Sequence, residues 1–347
     1  MPKMRSLVQR ILWIFLSLLL FVCIWQFELI SYGLMQAKGQ MAILLNAKPI
    51  KAVLEDKNFP DSLKSKLLLV QEIKKFALDS LGLAYSGSYE KFYDQQGKPI
   101  LWTITACEPY SLTAKEWVFP FVGTFSYKGF FDEDKLKKEE EVLRKQGWDT
   151  EIDEVSAWST LGYFDDPILS SMLMRSEGSL ANLIIHELTH GTLFIADDLT
   201  YNENLANFVG HQGAILFLKY KYGENSSQLA RYLAQHHDKE KLNAFLLTAT
   251  QKLDSLYRSL DKSMSADLKQ HYKKEMIKHI ITALDTISFQ SNIYKNYFKD
   301  YTPNNAFFLG FLTYNEQQAI FEQEFKNQFD SEFKKYFAYL KKKYCKD

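Results

Sequence analysis

Apolar residues fill most of the stretch 179–194, and their pattern predicts a helix that is apolar nearly all round and therefore buried. Its three ionisable residues are His186, Glu187 and His190. Side chains four apart lie one turn above each other, so the two imidazoles point the same way, with Glu187 about 100° around the axis. Burying these groups is costly unless something pairs them. Either a zinc ion pairs them, in the H-E-x-x-H arrangement with Glu187 as general base, or they are core histidines satisfied by a carboxylate.

The pattern outside this helix predicts an α+β fold. Two amphipathic helices, each closed by a glycine, are predicted at 61–81 and 132–146. Aromatic and β-branched residues or strict alternation predict strands at 101–106, 117–123 and 148–155. The later chain is nearly all helical in pattern, at 204–222, 227–260, 266–289 and 305–343. We therefore expect N-terminal helices around a small mixed sheet, then the H-E-x-x-H helix and a largely helical C-terminal half.

A third metal ligand is expected on the helix predicted to begin near Thr200. Glu203 lies far enough beyond His190 for the chain to reverse and return to the metal. Thr200 and Glu203 also fit a capping box, in which the carboxylate would bond the start of its own helix. His211 on the same helix is a rival ligand. We favour Glu203, because two histidines and one carboxylate leave a zinc position open for water.

The N-terminal segment has the pattern of a membrane anchor. Lys3, Arg5 and Arg10 precede an apolar run, so we expect a cytoplasmic tail at 1–10, a transmembrane helix at 11–30 and an extracytoplasmic domain at 31–347. That domain divides into 31–200, with the sheet and the H-E-x-x-H helix, and a helical part at 201–347. Three alternatives to an anchor compete: a cleaved signal peptide, a lipoprotein signal at Cys23 and a buried core helix.

Composition narrows the range of partners. The chain has 347 residues, 46% of them hydrophobic, which is ample material for a large core. Lys and Arg total 42, as do Asp and Glu, so nothing indicates a nucleic-acid partner. The three cysteines provide no Cys-based zinc site, although Cys107 and Cys345 could pair under oxidising conditions. Four histidines among charged residues are expected at the surface: His236, His237, His271 and His279.

Several short motifs together resemble the bacterial "putative aminopeptidase" family, a set of zincin-like proteins with an H-E-L-x-H helix followed by N-E-x-x-A. The likeness covers roughly residues 32–218, with a weaker echo at Asn304-Asn305-Ala306, where we expect helix capping rather than substrate binding. Its motifs are Gly39-Gln40, Pro49-Ile50, residues 125–129, residues 159–167, residues 186–190 and Asn202-Glu203. The resemblance implies that His186, His190 and Glu203 are the zinc ligands and Glu187 the catalytic carboxylate.

These observations predict a membrane-anchored zinc metallopeptidase, an aminopeptidase by resemblance, with a peptide or protein substrate. It would be a single-pass protein of the inner membrane, with its catalytic domain in the periplasm or outside the cell. The alternative is a non-catalytic, zinc-stabilised, membrane-tethered protein that binds peptides or assists assembly.

Three further features of the site stay open at this stage. Residues 156–162 are the candidate edge strand for substrate pairing, with an ordinary strand and turn as the alternative. The candidates for stabilising the oxyanion are Tyr127, Tyr163 and Tyr201. Those for binding a substrate amine are Asp165 and Asp198.

Overall fold

The computed structural model describes Trp13, Ile14, Ser17 and Phe21, and residues 24–120, 123–155, 165–195, 198–311 and 318–344. Its helices before the candidate site are α1 (Phe27–Asn46), α2 (Ile50–Glu55), α3 (Asp61–Phe76) and α4 (Glu133–Lys145). From the site onward they are α5 (Glu177–Thr192), α6 (Leu199–Tyr222), α7 (Ser227–Ser259), α8 (Ala266–Asp285), α9 (Asn305–Leu309), α10 (Gln318–Phe329) and α11 (Phe333–Tyr344). The strands are β1 (Lys48–Pro49), β2 (Lys91–Tyr93), β3 (Trp102–Cys107), β4 (Trp117–Phe119), β5 (Gly123–Phe125), β6 (Tyr127–Phe130), β7 (Asp149–Glu154) and β8 (Ile168–Leu169).

The strands form small sheets rather than one large one. One has the order β1-β2-β8, with β2 and β8 parallel; a second has the order β6-β3-β7, all antiparallel; β4 and β5 form a third pair. Helices surround these sheets and make up the C-terminal half. The predicted α+β class is therefore confirmed.

The largest hydrophobic core lies under the candidate site. It joins α3, α5, α6, α10 and α11 through fully buried side chains such as Ile73, Ile184, Ile185, Phe217 and Tyr336. A second core lies between α7, α8 and α9, and a third lies between α4 and the β6-β3-β7 sheet. Because α5 and α6 are held in the first core, their facing side chains are fixed against each other.

Asn305 ties the second core to the β6-β3-β7 sheet. Its side-chain amide donates to the Glu108 carbonyl at 2.8 Å and accepts from the Tyr257 hydroxyl at 2.6 Å. Its backbone N–H donates to Asp149 on β7 at 2.9 Å, and the buried ammonium of Lys273 pairs with the same carboxylate. Asn304 caps α9, as the sequence predicts, and also bonds the Thr150 carbonyl.

Two predictions about the helices at the chain ends are wrong. Within the described residues, no helix is both long and apolar enough to cross a membrane, which contradicts the predicted single-pass location in the inner membrane. The predicted anchor at 11–30 lies partly outside those residues. Most of residues 11–23 lie outside the described part, and α1, which begins at Phe27, carries Glu28 and Lys38 and buries Met35 and Ile43 in the fold. At the other end, the helix predicted at 305–343 is broken into α9, α10 and α11.

Several other sequence predictions lie on residues that the structure does not describe. The candidate edge strand at 156–162, Tyr163, Cys23 and Cys345 belong to this group. Cys107 is buried on β3 with a free thiol, and burial raises its pKa to about 12. The domain boundaries at residues 31 and 200 stay predictions.

Candidate metal centre

Helix α5 carries the H-E-x-x-H residues and is capped at both ends. Ser176 precedes it, and its hydroxyl accepts from the N–H of Ser179 at 3.4 Å. At the other end, the Thr192 hydroxyl accepts from the N–H of Ala84 at 2.9 Å, which ties the end of the helix to the loop after α3. The apolar residues of α5 are buried as the pattern predicts, Ile184 and Ile185 completely.

The reversal between α5 and α6 is fixed by Asn202. Its buried side chain accepts from the N–H of Ile195 at 2.8 Å and donates to the carbonyl of the same residue at 2.7 Å. Asp198 caps α6 by accepting from the N–H of Tyr201 at 3.0 Å. Since Asp198 is the cap, Glu203 lies beyond the capping-box position, and its carboxylate is turned toward α5 instead.

Glycine lets the two helices come close together. A Cβ atom at Gly210 would lie 2.9 Å from the carbonyl oxygen of Asn182 and 3.1 Å from Cβ of His186. A Cβ atom at Gly213 would meet Ile185 at the same short distance of 2.9 Å. Side chains here would push α6 away from α5 and move Glu203 away from the two histidines.

Three side chains that could hold a metal ion converge where α5 and α6 face each other: His186, His190 and Glu203, the metal-binding group. Nε2 of His186 lies 3.2 Å from Nε2 of His190. The two carboxylate oxygens of Glu203 divide between the rings: one lies 3.5 Å from Nε2 of His186, the other 3.4 Å from Nε2 of His190. Ligands bound tetrahedrally to zinc at about 2.0–2.2 Å lie about 3.3–3.5 Å from each other. The spacing of these three groups therefore fits one small divalent cation.

The electrostatics of the group also suit a cation. Burial and the charge of His186 lower the pKa of His190 to about 4, against the opposing effect of Glu203, so this ring is neutral near pH 7. Burial alone would raise the pKa of Glu203, but the hydrogen bond from His186 and the charges of both imidazoles lower it overall. Neutral imidazoles and an ionised carboxylate are the forms that bind metal. The three residues fit zinc by chemistry as well as by spacing.

Glu187 faces a different set of groups. It borders a small cavity of about 20 Å³, lined also by Ser86, Ser88, Tyr89 and Asp166. That volume holds about one water molecule or one ammonium group. Burial and the negative charges of Glu187 and Asp166 raise the pKa of Tyr89 well above its ordinary value, so its hydroxyl remains a donor. Two carboxylates and three hydroxyls thus meet at the side of α5 next to the metal-binding group.

The tyrosines singled out in the sequence have different positions. Tyr127 is 45% exposed at the start of β6, and burial and the negative charge of Glu203 raise its pKa, so its hydroxyl remains a donor. Tyr201 instead packs against Phe321 and Tyr344, with ring centroids 5.2 and 5.1 Å away. Of the three tyrosines considered from the sequence, Tyr163 lies outside the described residues and Tyr201 packs elsewhere, so Tyr127 is the candidate that remains.

His211 is not part of the metal-binding group. Its Nδ1 lies 3.0 Å from the Tyr232 hydroxyl, and its ring stacks on His236 with centroids 3.5 Å apart. His236, expected at the surface, is thus half-buried in this stack. Sequence reasoning missed Asn202 as a clamp, because no pattern marks an asparagine that bonds the backbone seven residues before it. It missed Tyr89 and Asp166 because Glu187, beside which they lie, is far from both in the chain.

Comparison with known proteins supports a peptidase. The model of the family described as "Putative aminopeptidase" matches residues 31–344. Neither a curated protein nor a solved structure matches the chain. The match covers nearly the whole sequence, including α5, α6 and every residue of the group that could hold a metal. The chain belongs to the family of putative aminopeptidases.

Proposed function

We propose that this protein is a zinc-dependent, zincin-like peptidase that removes residues from the amino end of peptides. The spacing of Nε2 of His186, Nε2 of His190 and the Glu203 oxygens carries the proposal, because two imidazoles and one carboxylate at these distances match the ligand set and geometry of a catalytic zinc ion. Family membership supports the peptidase part independently.

His186, His190 and Glu203 would hold the metal. When bound, zinc supplies a Lewis acid that polarises a carbonyl oxygen and lowers the pKa of water. His190 is 3% exposed at its side chain and Glu203 29%, so the site is closed on the His190 side and open on the Glu203 side. Substrate would approach from that open side.

Glu187 would move the proton. It follows His186 in α5 and is turned about 100° from the ligand row, within reach of a water at the site without being a ligand. As general base it takes a proton from the attacking water and then delivers it to the leaving amine. Tyr127, whose hydroxyl remains protonated, would donate a hydrogen bond to the carbonyl oxygen of the scissile bond.

Asp166 is our candidate for binding the amino terminus of the substrate. It is 4% exposed and borders the cavity beside Glu187, where an ammonium group would meet two carboxylates and three hydroxyls. Asp198, considered from the sequence, caps α6 instead. A buried carboxylate next to the catalytic one favours substrates with a free α-ammonium group.

The decisive experiment combines metal analysis with two substitutions. Purified protein is expected to contain about one zinc per chain and to hydrolyse aminoacyl-peptide substrates, with both properties lost in His190→Ala. Glu187→Gln should keep the zinc and lose hydrolysis. Full activity of Glu187→Gln, or wild-type protein that binds no divalent metal, would overturn the proposal.

The alternative, a zinc-stabilised protein that binds peptides without turnover, needs a fourth protein ligand that closes the metal site. Among the described residues, the metal-binding group has three side chains, which favours catalysis. Zinc in the wild-type protein together with no hydrolysis of any peptide would favour the alternative.

A further inference from the structure

A row of polar side chains continues from the candidate site along α5 and α6 and forms a polar face. On α6, Asn207 and His211 follow Glu203 at four-residue spacing, and all three are partly exposed. On α5, Asn182 lies one turn before His186. The amide of Asn182 donates to the Tyr232 hydroxyl at 2.7 Å, and Tyr232 in turn contacts His211. This face therefore leads away from the metal-binding group toward α7.

Helix α7 forms a wall at the far end of this face. The Tyr232 ring packs directly onto Gly178, where a Cβ atom would lie 2.6 Å from the ring. The rings of His236 and His211 are nearly parallel, with 15° between their planes. These contacts hold the first turns of α7 against both α5 and α6, so side chains on this part of α7 have fixed positions relative to the site.

The wall carries the positive charge of Lys239, three residues beyond His236. Burial is the main cause of the lowered pKa values of His211 and His236, and the charge of Lys239 lowers both further. Burial and the charge of Arg175 lower the pKa of Lys239 itself, although the side chain still reaches solvent. Residues three apart share a helix face, so Lys239 projects from the same side of α7 as His236, whose ring stacks on His211.

The nearby carboxylates do not neutralise Lys239. Glu240 pairs with His236 at 3.1 Å, and Glu177 pairs with Lys66 and Arg231. In the part of the chain that the structure describes, Lys239 forms no ion pair. Its ammonium is thus available to an anion that enters along the polar face.

We propose that Lys239, with Arg175 behind it, binds the C-terminal carboxylate of a short peptide substrate; this rests on the proposed peptidase function. The direction in which the peptide would bind follows from the residues at the two ends of the site. Asp166 lies beside Glu187, Leu188 and Gly191, whereas Asn182 and His211 lie toward the other end of α5. A peptide held by its amine near Asp166 therefore extends toward Lys239.

The distance along α6 from Glu203 to His211 sets the length of the inferred peptide. His211 lies two helical turns from Glu203, which is about 11 Å. An extended peptide advances about 3.3–3.6 Å per residue, so a carboxylate near His211 and Lys239 is about three residues beyond the scissile bond. The inferred substrate class is a peptide of about four residues with both termini free.

The test compares matched peptides that end in a free carboxylate or in a carboxamide. For tetrapeptides, kcat/KM is expected to be roughly tenfold higher for the free acid, equivalent to about one charge-assisted hydrogen bond. In Lys239→Gln this preference should disappear through a higher KM for the acid, while the amide is cleaved as by wild type. Lys252→Gln, an exposed lysine on the same helix, is the control and should keep the preference.

Binding measurements separate this inference from the proposed function. Titration calorimetry of the Glu187→Gln protein should give tighter binding of the acid than of the amide, and Lys239→Gln in that background should remove the difference. Hydrolysis of acid and amide at equal rates, with equal binding, would overturn the inference and leave the peptidase intact. Absence of hydrolysis together with acid-selective binding would instead overturn the peptidase and retain the anion site.

Discussion

The side chain of Asn202 closes a pair of hydrogen bonds with the backbone of Ile195, and the next residue, Glu203, is the carboxylate of the metal-binding group. The position of this carboxylate is thus set by a clamp on the loop before it. Groups that orient metal ligands commonly affect metal affinity as strongly as some ligands do.

Replacing Asn202 by Ala should weaken zinc binding by roughly 10- to 100-fold, because Glu203 loses its fixed approach to the histidines. It should also lower the free energy of unfolding by about 1–3 kcal/mol, since the partly buried backbone N–H and C=O of Ile195 lose their partners. Zinc affinity by competition with a chromogenic chelator measures the first effect. Asn225→Ala, in the exposed loop before α7, is the control; equal zinc affinity in both variants would contradict a clamp.

Replacing Tyr127 by Phe should lower kcat by roughly 10²-fold or more with little change in KM, because the donor acts on charge that develops in the transition state. Steady-state kinetics on one aminoacyl-peptide substrate tests this. Tyr272→Phe on α8, where the tyrosine is 43% exposed compared with 45% for Tyr127, controls for the loss of a surface hydroxyl. An unchanged kcat in Tyr127→Phe would remove this residue from the mechanism.

Peptides with a free amino terminus should be cleaved at least tenfold faster than their N-acetylated counterparts, because acetylation removes the ammonium charge that Asp166 is proposed to bind. In Asp166→Asn the difference should shrink, mainly through a higher KM for the free peptide. The acetylated peptide serves as the internal control, since its cleavage should not depend on Asp166. Equal turnover of the two peptides by wild-type protein would exclude a strict aminopeptidase.

The stability of the protein should fall in mild acid because of His211. Burial, with the positive charges of His236 and Lys239, lowers its pKa to about 3 in the folded state, compared with an ordinary value of 6.5. Between pH 6.5 and pH 3 the unfolded chain binds a proton at His211 and the folded chain does not. The contribution of His211 to the free energy of unfolding is therefore complete above pH 6.5 and is lost as the pH falls.

Because of His211, the free energy of unfolding at pH 5 should be lower than at pH 7.5 by at most about 2 kcal/mol. Urea unfolding of wild type and His211→Gln at both pH values measures it, and the variant should show a smaller difference. His279→Gln on α8 is the control and should behave as wild type. The same pH difference in all three proteins would show that other groups cause it.

The core of the candidate site was predictable because helical periodicity is local. His186 and His190 fall on one face by their spacing alone, and Glu203 needed only the length of one reversal. The choice between ligand and capping box could not be made from the pattern, because Asp198 and Thr200 are both residue types that cap helices, and only the structure shows that Asp198 caps α6. The proposed roles of Asp166 and Tyr127 could not come from spacing, because distant sheet and loop segments bring them near α5 and α6.

Two further differences between the sequence predictions and the structure have specific physical causes. The last predicted helix is interrupted at Asp330 and Ser331, which adopt left-handed backbone conformations with φ of 52° and 60°. Neither residue is a glycine, so composition gave no sign of a break. His236 lies among Lys and Glu residues, which favours a surface position, but its ring packs on His211 from another helix.

The bonds made by Asn305 bear on how the chain can be shortened. A version that ends before α9 would remove the amide groups that donate to the carboxylate of Asp149 and the carbonyl of Glu108. Both acceptors lie at the back of the sheet whose outer strand begins with Tyr127. The last 43 residues, from Asn305 to Asp347, are thus no removable tail, and a minimal folded fragment has to retain α9 even though, among the described residues, none of the metal-binding group lies there.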